Sequence, residues 1–346
     1  MFTFVVRRLL LMIPTFLGIT LISFVIINLA PGSPIEQKIQ AIRFGGGGEV
    51  GGASGSHSNS KGSVSLNEEI LEALKKQYGF DKPILVRYWI WLRNIFTLDF
   101  GTSFTYEEPV LKVIVSKFPV SLQFGIASLI LTYLICIPLG ILKAVKAGTT
   151  FDVVSGLILY FFYAVPPLIL GILLITFFAG GSYFSWFPTG LLYSDHYDEL
   201  SFWGKVWDRV HHFVLPLTCY VLGGFASLTL LMRNSLLDVI KQDYIRTARA
   251  KGLDEKTILW KHALRNALIP LAVNLGGFLQ VFLSGSLIIE SVFQLDGIGL
   301  LSYMSILSRD YNVIMGLIFL SAVTLMLGRL LTDIVYVIID PRIDFK

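Results

Sequence analysis

Marking every Asp, Glu, Lys and Arg along the chain leaves six long stretches without formal charge, at 9–35, 118–142, 153–194, 210–232, 266–289 and 311–328. Each can supply the roughly 18 or more residues that a helix needs to cross a bilayer, so the pattern predicts six spans. The stretch 153–194 is too long for one straight span, and "GGSYFSWFPTG" (180–190) reads as an exit turn with interfacial aromatics. Inside it, Pro166 and Pro167 lack backbone donors and predict a kink, either static or a gate hinge. The first stretch follows Arg7 and Arg8, as the apolar part of a secretory leader would. It is too long for that role, and "NLAPGSP" (28–34) offers no small-x-small cleavage site, so it reads as a retained span.

Composition agrees with a membrane solvent. Apolar residues make up 54% of the chain and charged residues 15%, against roughly 25% charged in an ordinary soluble domain. With the N-terminus inside, the inner segments hold fifteen Lys and Arg, whereas the two short outer loops hold only Lys205, Arg209 and Arg309. The long loop 31–118 is left out of that count because long loops cross regardless of charge. Both termini are therefore expected in the cytoplasm, and the net charge of +4 reflects topology rather than a nucleic-acid partner. Cys136 and Cys219 fall inside predicted spans and suggest no disulfide framework.

The expected organisation is an N-terminal spanning helix (1–30), an outer loop (31–118), a five-helix core (119–338) containing a polar loop (236–266), and a short tail (339–346). The outer loop opens on a Gly/Ser-rich insert, 45–63, of a composition that predicts flexibility. Gly46, Gly48 and Gly51 formally match a dinucleotide fingerprint, yet no strand precedes them and no helix follows at once. Ser65 and Glu68 form a capping-box pattern before an amphipathic helix ending near Gly79. "RYWIWLRNIFTLDFGTSF" (87–104) adds an aromatic amphipathic element, suited to the outer membrane face or a partner, or else to packing as a loop.

The polar loop between the fourth and fifth runs carries the densest charge. Eight Lys and Arg lie between Arg233 and Arg265; at about 2.5 kcal/mol or more each in mid-bilayer they would cost on the order of 20 kcal/mol, so this stretch belongs in water. Locally it reads as helix, hinge, helix. Tyr244 to Lys251 is rich in helix formers, Gly252 permits a left-handed stop, and Asp254 is a sound N-cap for the next helix. Ile258, Leu259 and His262 then form a small apolar face suited to a partner's groove. A solvated connector remains the alternative, although plain connections are usually shorter. In the fifth run Asn274, Gly277, Gln280 and Ser284 fall within an arc of about 120°, a polar stripe that faces either another helix or a water-filled path. Arg329 and Asp333, spaced i, i+4 near the end of the last run, could pair or snorkel.

"DYIRTARAKGLDEKTILWKHALRNALIP" (243–270) resembles the cytoplasmic EAA loop of ABC-importer permeases, in the variant of the peptide and nickel uptake family. In the general pattern an acidic residue and two alanines precede the glycine. Here those places hold Arg246, Thr247 and Ala248, so only the second alanine and Gly252 match, while the peptide-type run R-T-A-R-A-K-G fits throughout. "LAPGSP" (29–34), "YGFDKP" (78–83), "DFGTSF" (99–104), "IPLGILKAV" (137–145), "FFAGGSYF" (177–184), "SRDYNV" (308–313) and "DPRIDF" (340–345) are further landmarks of that family, several closer to its Yej-type microcin C and oligopeptide subgroup.

The resemblance implies an all-α, type I importer permease with a long periplasmic loop after its first helix. It implies a second homologous permease, cytosolic ABC ATPase subunits, a periplasmic peptide-binding protein and a peptide substrate. Coupling would fall to Arg246, Thr247, Ala248, Gly252, Leu253, Asp254, Ile258, Leu259, His262 and Arg265, and the peptide path to Asn274, Gly277, Gln280 and Ser284. The sequence holds no G-x-x-x-x-G-K-[ST] loop, so ATP and Mg2+ are expected on the partner ATPase, with no cofactor and no catalytic site in this chain. Two other classes fit less well. An intramembrane enzyme lacks its catalysts, and His211 and His212 alone make a poor metal site. An ion-coupled transporter or channel would be expected to carry ionisable residues at the centres of its spans, and these runs hold none.

Overall fold

The computed structural model describes residues 2–29, 82–181, 183–275 and 285–339. The insert 45–63, the helix expected after Ser65, the tail from 340, and Gly277, Gln280 and Ser284 lie outside the described residues. The chain divides into two compact units, one of Leu11–Ser116 with Ser302–Ala322 and one of Met1–Leu10, Lys117–Leu301 and Val323–Lys346.

In the smaller unit α1 (Phe2–Leu29) supplies Phe16, Thr20 and Phe24 to a face met by α2 (Ile84–Ile95). The Tyr88 hydroxyl lies 3.0 Å from Thr20 Oγ1, and the Tyr88 ring meets Phe24 edge-on. Tyr88, Leu92 and Ile95 point inward while Trp89 and Phe96 stay exposed. The aromatic element expected at 87–104 is therefore packed along one face and open along the other. Asp310, 0% exposed, organises the turn that follows: its carboxylate accepts from Ser103 Oγ (2.5 Å), Thr105 N (3.0 Å) and Val313 N (3.3 Å).

The larger unit is built on α3 (Val110–Val145), α4 (Thr150–Ala164), α5 (Pro167–Phe178) and α6 (Phe202–Ile240). Among the described residues four helices are long and apolar enough to cross a membrane, and α4 with α5, bent by 97° at their break, counts as a fifth if the pair is one span. The break follows from Pro166 and Pro167. A proline pushes the residue before it out of the helical region, and Val165 sits extended at ψ 118° before Pro167 restarts the helix at its first position. The kink expected there is thus a sharp corner. Past α5, the N–H groups of Phe184, Trp186 and Phe187 return to the carbonyls of Phe177 and Phe178, forming the exit turn read at 180–190.

Asp333 pairs with Arg8 at 3.1 Å rather than with Arg329, because packing brings the first and last helices' ends within reach. His212 bonds its own helix through Asp208 O at 2.8 Å, and His211 contacts Trp186 O. Among the described residues no metal-holding group of His, Cys, Asp and Glu exists.

Near the end of the fifth run, α10 (Leu287–Val292) starts on Ser286, whose Oγ accepts from Ile289 N. Glu290, 0% exposed, reaches back to accept from Ser286 N at 3.2 Å. The same carboxylate accepts from Ser121 Oγ (2.8 Å), Tyr220 Oη (3.2 Å) and Leu300 N (3.1 Å), so one side chain ties α3, α6 and the start of α11 (Ile298–Leu307) to α10. The last helix, α12, is Tyr311–Ile339.

Candidate coupling site

The polar segment after α6 forms α7 (Asp243–Ala250), α8 (Glu255–Thr257), a π turn (Ile258–Ala263) and α9 (Leu264–Ala267). The hinge has the expected form. Gly252 sits at φ +78°, its N–H bonds Arg249 O (2.9 Å) and Leu253 N–H bonds Ala248 O (3.4 Å), which is a Schellman stop for α7. A Cβ at Gly252 would meet nothing within 4 Å, so its requirement comes from backbone conformation alone. Asp254 then caps the next helix, accepting from Thr257 N at 3.1 Å. The Thr257 hydroxyl first, and its backbone N–H second, hold the Asp254 carboxyl below the usual carboxylate range.

Sequence reasoning missed the clip across this hinge. Arg249 Nε and Nη2 donate to the two carboxylate oxygens of Glu255 at 2.7 and 3.2 Å, a bidentate pair joining the end of α7 to the start of α8. These bonds raise the Arg249 pKa and lower that of Glu255. Because the Glu255 value is depressed by folding, its contribution is complete above the ordinary Glu pKa and lost as pH falls through the lower folded value. Glu255→Gln is expected to speed amide exchange at Gly252 and Leu253 at pH 7, with no such change in wild type until the solution is acidic; hydrogen exchange read by mass spectrometry checks this. A residue six positions away is visible as a partner only once the glycine turn folds the two helices together.

The apolar face assigned to a partner needs correcting. Ile258 is 2% exposed and Leu259 partly buried, packed with Ile245, Ala248, Ala263 and Ala267 against Ile141, Met232 and Leu236 of α3 and α6. Helical periodicity cannot tell a face that meets a partner from one that meets the same chain. His262 is half-buried and Arg265 exposed. The outward surface instead shows Tyr244, Leu253 and Trp260, the last 61% exposed, among charged neighbours. Arg246 reaches Asp243 at 3.5 Å and Thr247 Oγ1 bonds Asp243 O, both exposed, so a carboxylate stands one turn before the position where the general pattern has one.

Two bonds tie the segment and the start of the following run to the spans, and a third closes the segment on itself. Ser235 Oγ of α6 donates to Ala267 O (2.8 Å), Tyr133 Oη of α3 to Leu271 O (2.8 Å), and Asn266 Nδ2 to Tyr244 Oη (2.7 Å). Beneath them lies an ionic cluster on α3, α4 and α6. Lys143, 1% exposed, bonds Asp152 O (2.6 Å) and Ser155 Oγ (2.9 Å) and lies 3.0 Å from Asp152 Oδ1. Arg233 grips the same carboxylate with Nε (2.9 Å) and Nη2 (2.5 Å). Of the polar stripe in the fifth run only Asn274 is described; it is exposed and bonds Pro270 O at 3.3 Å.

A capped helix pair thus lies on the surface and is bonded to a long apolar helix. Residues 136–345, more than half of the chain, match the family model described as the binding-protein-dependent transport system inner membrane component. The chain belongs to that family. It is 46% identical over 357 residues to the peptidoglycan transport system permease protein YejB of Agrobacterium fabrum, covering 99% of this chain and 98% of that one. Against the inner membrane ABC transporter permease protein YejB of Escherichia coli O157:H7 the identity is 43% with 99% of each chain covered, and against the oligopeptide transport system permease protein AppB of Bacillus subtilis it is 36% with 100% of each. Helix–hinge–helix residues 243–267 lie wholly inside the family match.

Proposed function

We propose that this chain is one of two permease subunits of an ATP-driven importer of peptides, microcin C-like and oligopeptide cargo included, and that residues 243–267 receive the stroke of a cytosolic ATPase. The observation that carries the reading is the Gly252 hinge, clipped and capped outside yet packed inside on α3 and α6. The relatives named for oligopeptide and peptidoglycan transport support peptide cargo. In this reading Tyr244, Leu253 and Trp260 bury against the ATPase, with Asp243, Arg246, Thr247 and Arg265 around them. Ala248, Ile258, Leu259 and the half-buried His262 transmit movement inward.

The distribution of Lys and Arg supports N- and C-termini on the cytoplasmic side of the inner membrane and a sixth span over the fifth run. A binding protein then delivers peptide from outside, and Asn274, Gly277, Gln280 and Ser284 line the path. ATP and Mg2+ belong to the partner. Each partner state must prefer one of two packings of the helices for transport to be driven.

The test is reconstitution. The chain alone should hydrolyse no ATP, and the full complex in vesicles should hydrolyse ATP and take up peptide when loaded binding protein is added. Gly252→Pro cannot adopt a positive φ and loses the bond to Arg249 O; it is expected to insert normally and cut uptake at least about tenfold. Undiminished uptake by this variant would sink the coupling role. Uptake driven by an ion gradient without ATP would instead point to a secondary transporter.

A further inference from the structure

We propose that the smaller unit carries a binding site for one anionic phospholipid, with an acyl chain between α1 and α12 and the headgroup phosphate on Arg309. A groove of about 360 Å3 opens there, lined by Ser23, Ile26 and Ile27 of α1, by Ile306, and by Ile314 and Ile318 of α12. That volume lies in the range of small-molecule sites, and five of its eight lining residues are isoleucines, which suits a hydrocarbon chain. Arg309 and Tyr311 stand on its lining as well.

Arg309 is the informative residue. It occupies the stop of α11, where Arg309 N–H bonds Ile306 O (3.2 Å) and Asp310 N–H bonds Ser305 O (2.9 Å). This is the hydrogen-bond pattern seen at Gly252, but with φ +53° imposed on an arginine. Glycine is the residue this turn favours, because a Cβ at positive φ crowds the backbone. An arginine held in a glycine position points to work for its side chain. Intramolecular charge pairing does not supply that work: the neighbouring carboxylate, Asp310, is committed to Ser103, Thr105 and Val313. Among the described residues Arg309 enters no ion pair. A guanidinium at the rim of an aliphatic groove complements a phosphodiester above an acyl chain. The lining residues of α1 lie within seven residues of its C-terminal end, the depth at which a chain meets its headgroup. With the N-terminus inside, as proposed above, that is the outer leaflet.

The experiment is native mass spectrometry of the full-length chain, released in mild detergent from membranes containing phosphatidylglycerol and phosphatidylethanolamine. Wild type is expected to retain one phosphatidylglycerol. Arg309→Gly should lower that retention about tenfold or more while leaving the thermal unfolding midpoint of the delipidated chain unchanged or raised, since glycine suits the turn. Arg309→Lys should retain an intermediate amount, and Ile314→Trp, which fills the groove, should exclude the lipid with Arg309 intact. The proposal is overturned if wild type retains no phosphatidylglycerol, if it retains both lipids alike, or if Arg309→Gly retains as much as wild type. Should Ile314→Trp fail to fold, the Arg309→Gly result decides alone.

Discussion

Glu290→Ala is expected to lower stability by about 2–4 kcal/mol, the scale for leaving several buried hydrogen-bond donors without their acceptor, and to show as a large drop in the unfolding midpoint of the purified chain. The carboxylate is fully buried and satisfies four donors from four places in the fold, Ser121, Tyr220, Ser286 and Leu300. Truncation leaves those donors dry, each at about 1–3 kcal/mol when unpartnered, although such costs do not simply add. Glu290→Gln should also destabilise, because an amide presents one acceptor and a donor where two acceptors are needed. The site has no slack to rearrange: a Cβ on Gly285, at φ +62°, would lie 2.3 Å from Glu290 Oε1. Gly285→Ala is therefore predicted to reproduce much of the loss. A Glu290→Ala chain that unfolds at the wild-type temperature would show that this network holds nothing together.

Asp152→Ala should be the second severe variant, costing about 3 kcal/mol, at the low end for breaking a buried ion pair because Arg233 retains some solvent. Its carboxylate is the shared partner of Lys143 and Arg233, and without it two cations on neighbouring helices face each other. Asp152→Asn keeps the shape and loses the charge, so it separates electrostatics from packing. Since the cluster joins α4 to α3 and α6, the helices against which residues 243–267 pack, the proposed coupling role predicts that both variants lower peptide-stimulated ATP hydrolysis in the full complex more than their residual folded fraction explains. Thermal unfolding and hydrolysis measured on the same preparation check the two halves of this statement. Equal unfolding midpoints for wild type and Asp152→Ala would remove the structural role.

Much of the polar segment 243–267 is legible one residue at a time. Gly252 as a left-handed stop and Asp254 as a cap are local matters of backbone sterics and a side chain reaching three residues ahead, and both are found where expected. The break at Pro166 and Pro167 is local in the same sense, although its 97° exceeds a kink. Ile258 shows where such reading stops: its spacing marks an apolar face, but only packing decides that the face meets α3 and α6. The Arg249–Glu255 clip, the Lys143–Asp152–Arg233 cluster and the Arg8–Asp333 pair escaped because their members are distant in sequence or lie across a turn.

The chain's charge-free runs, its Lys and Arg distribution and its Gly and Pro positions were enough to set a helical membrane protein with a water-exposed hinge, because hydrocarbon tolerates neither unpaired backbone nor isolated charge. Tertiary structure alone decided which ionisable groups are buried together and which face of the hinge remains open. Glu290 marks the difference: in sequence it is one acidic residue at the edge of an apolar run, and only the convergence of three helices and a loop turns it into the acceptor for four donors.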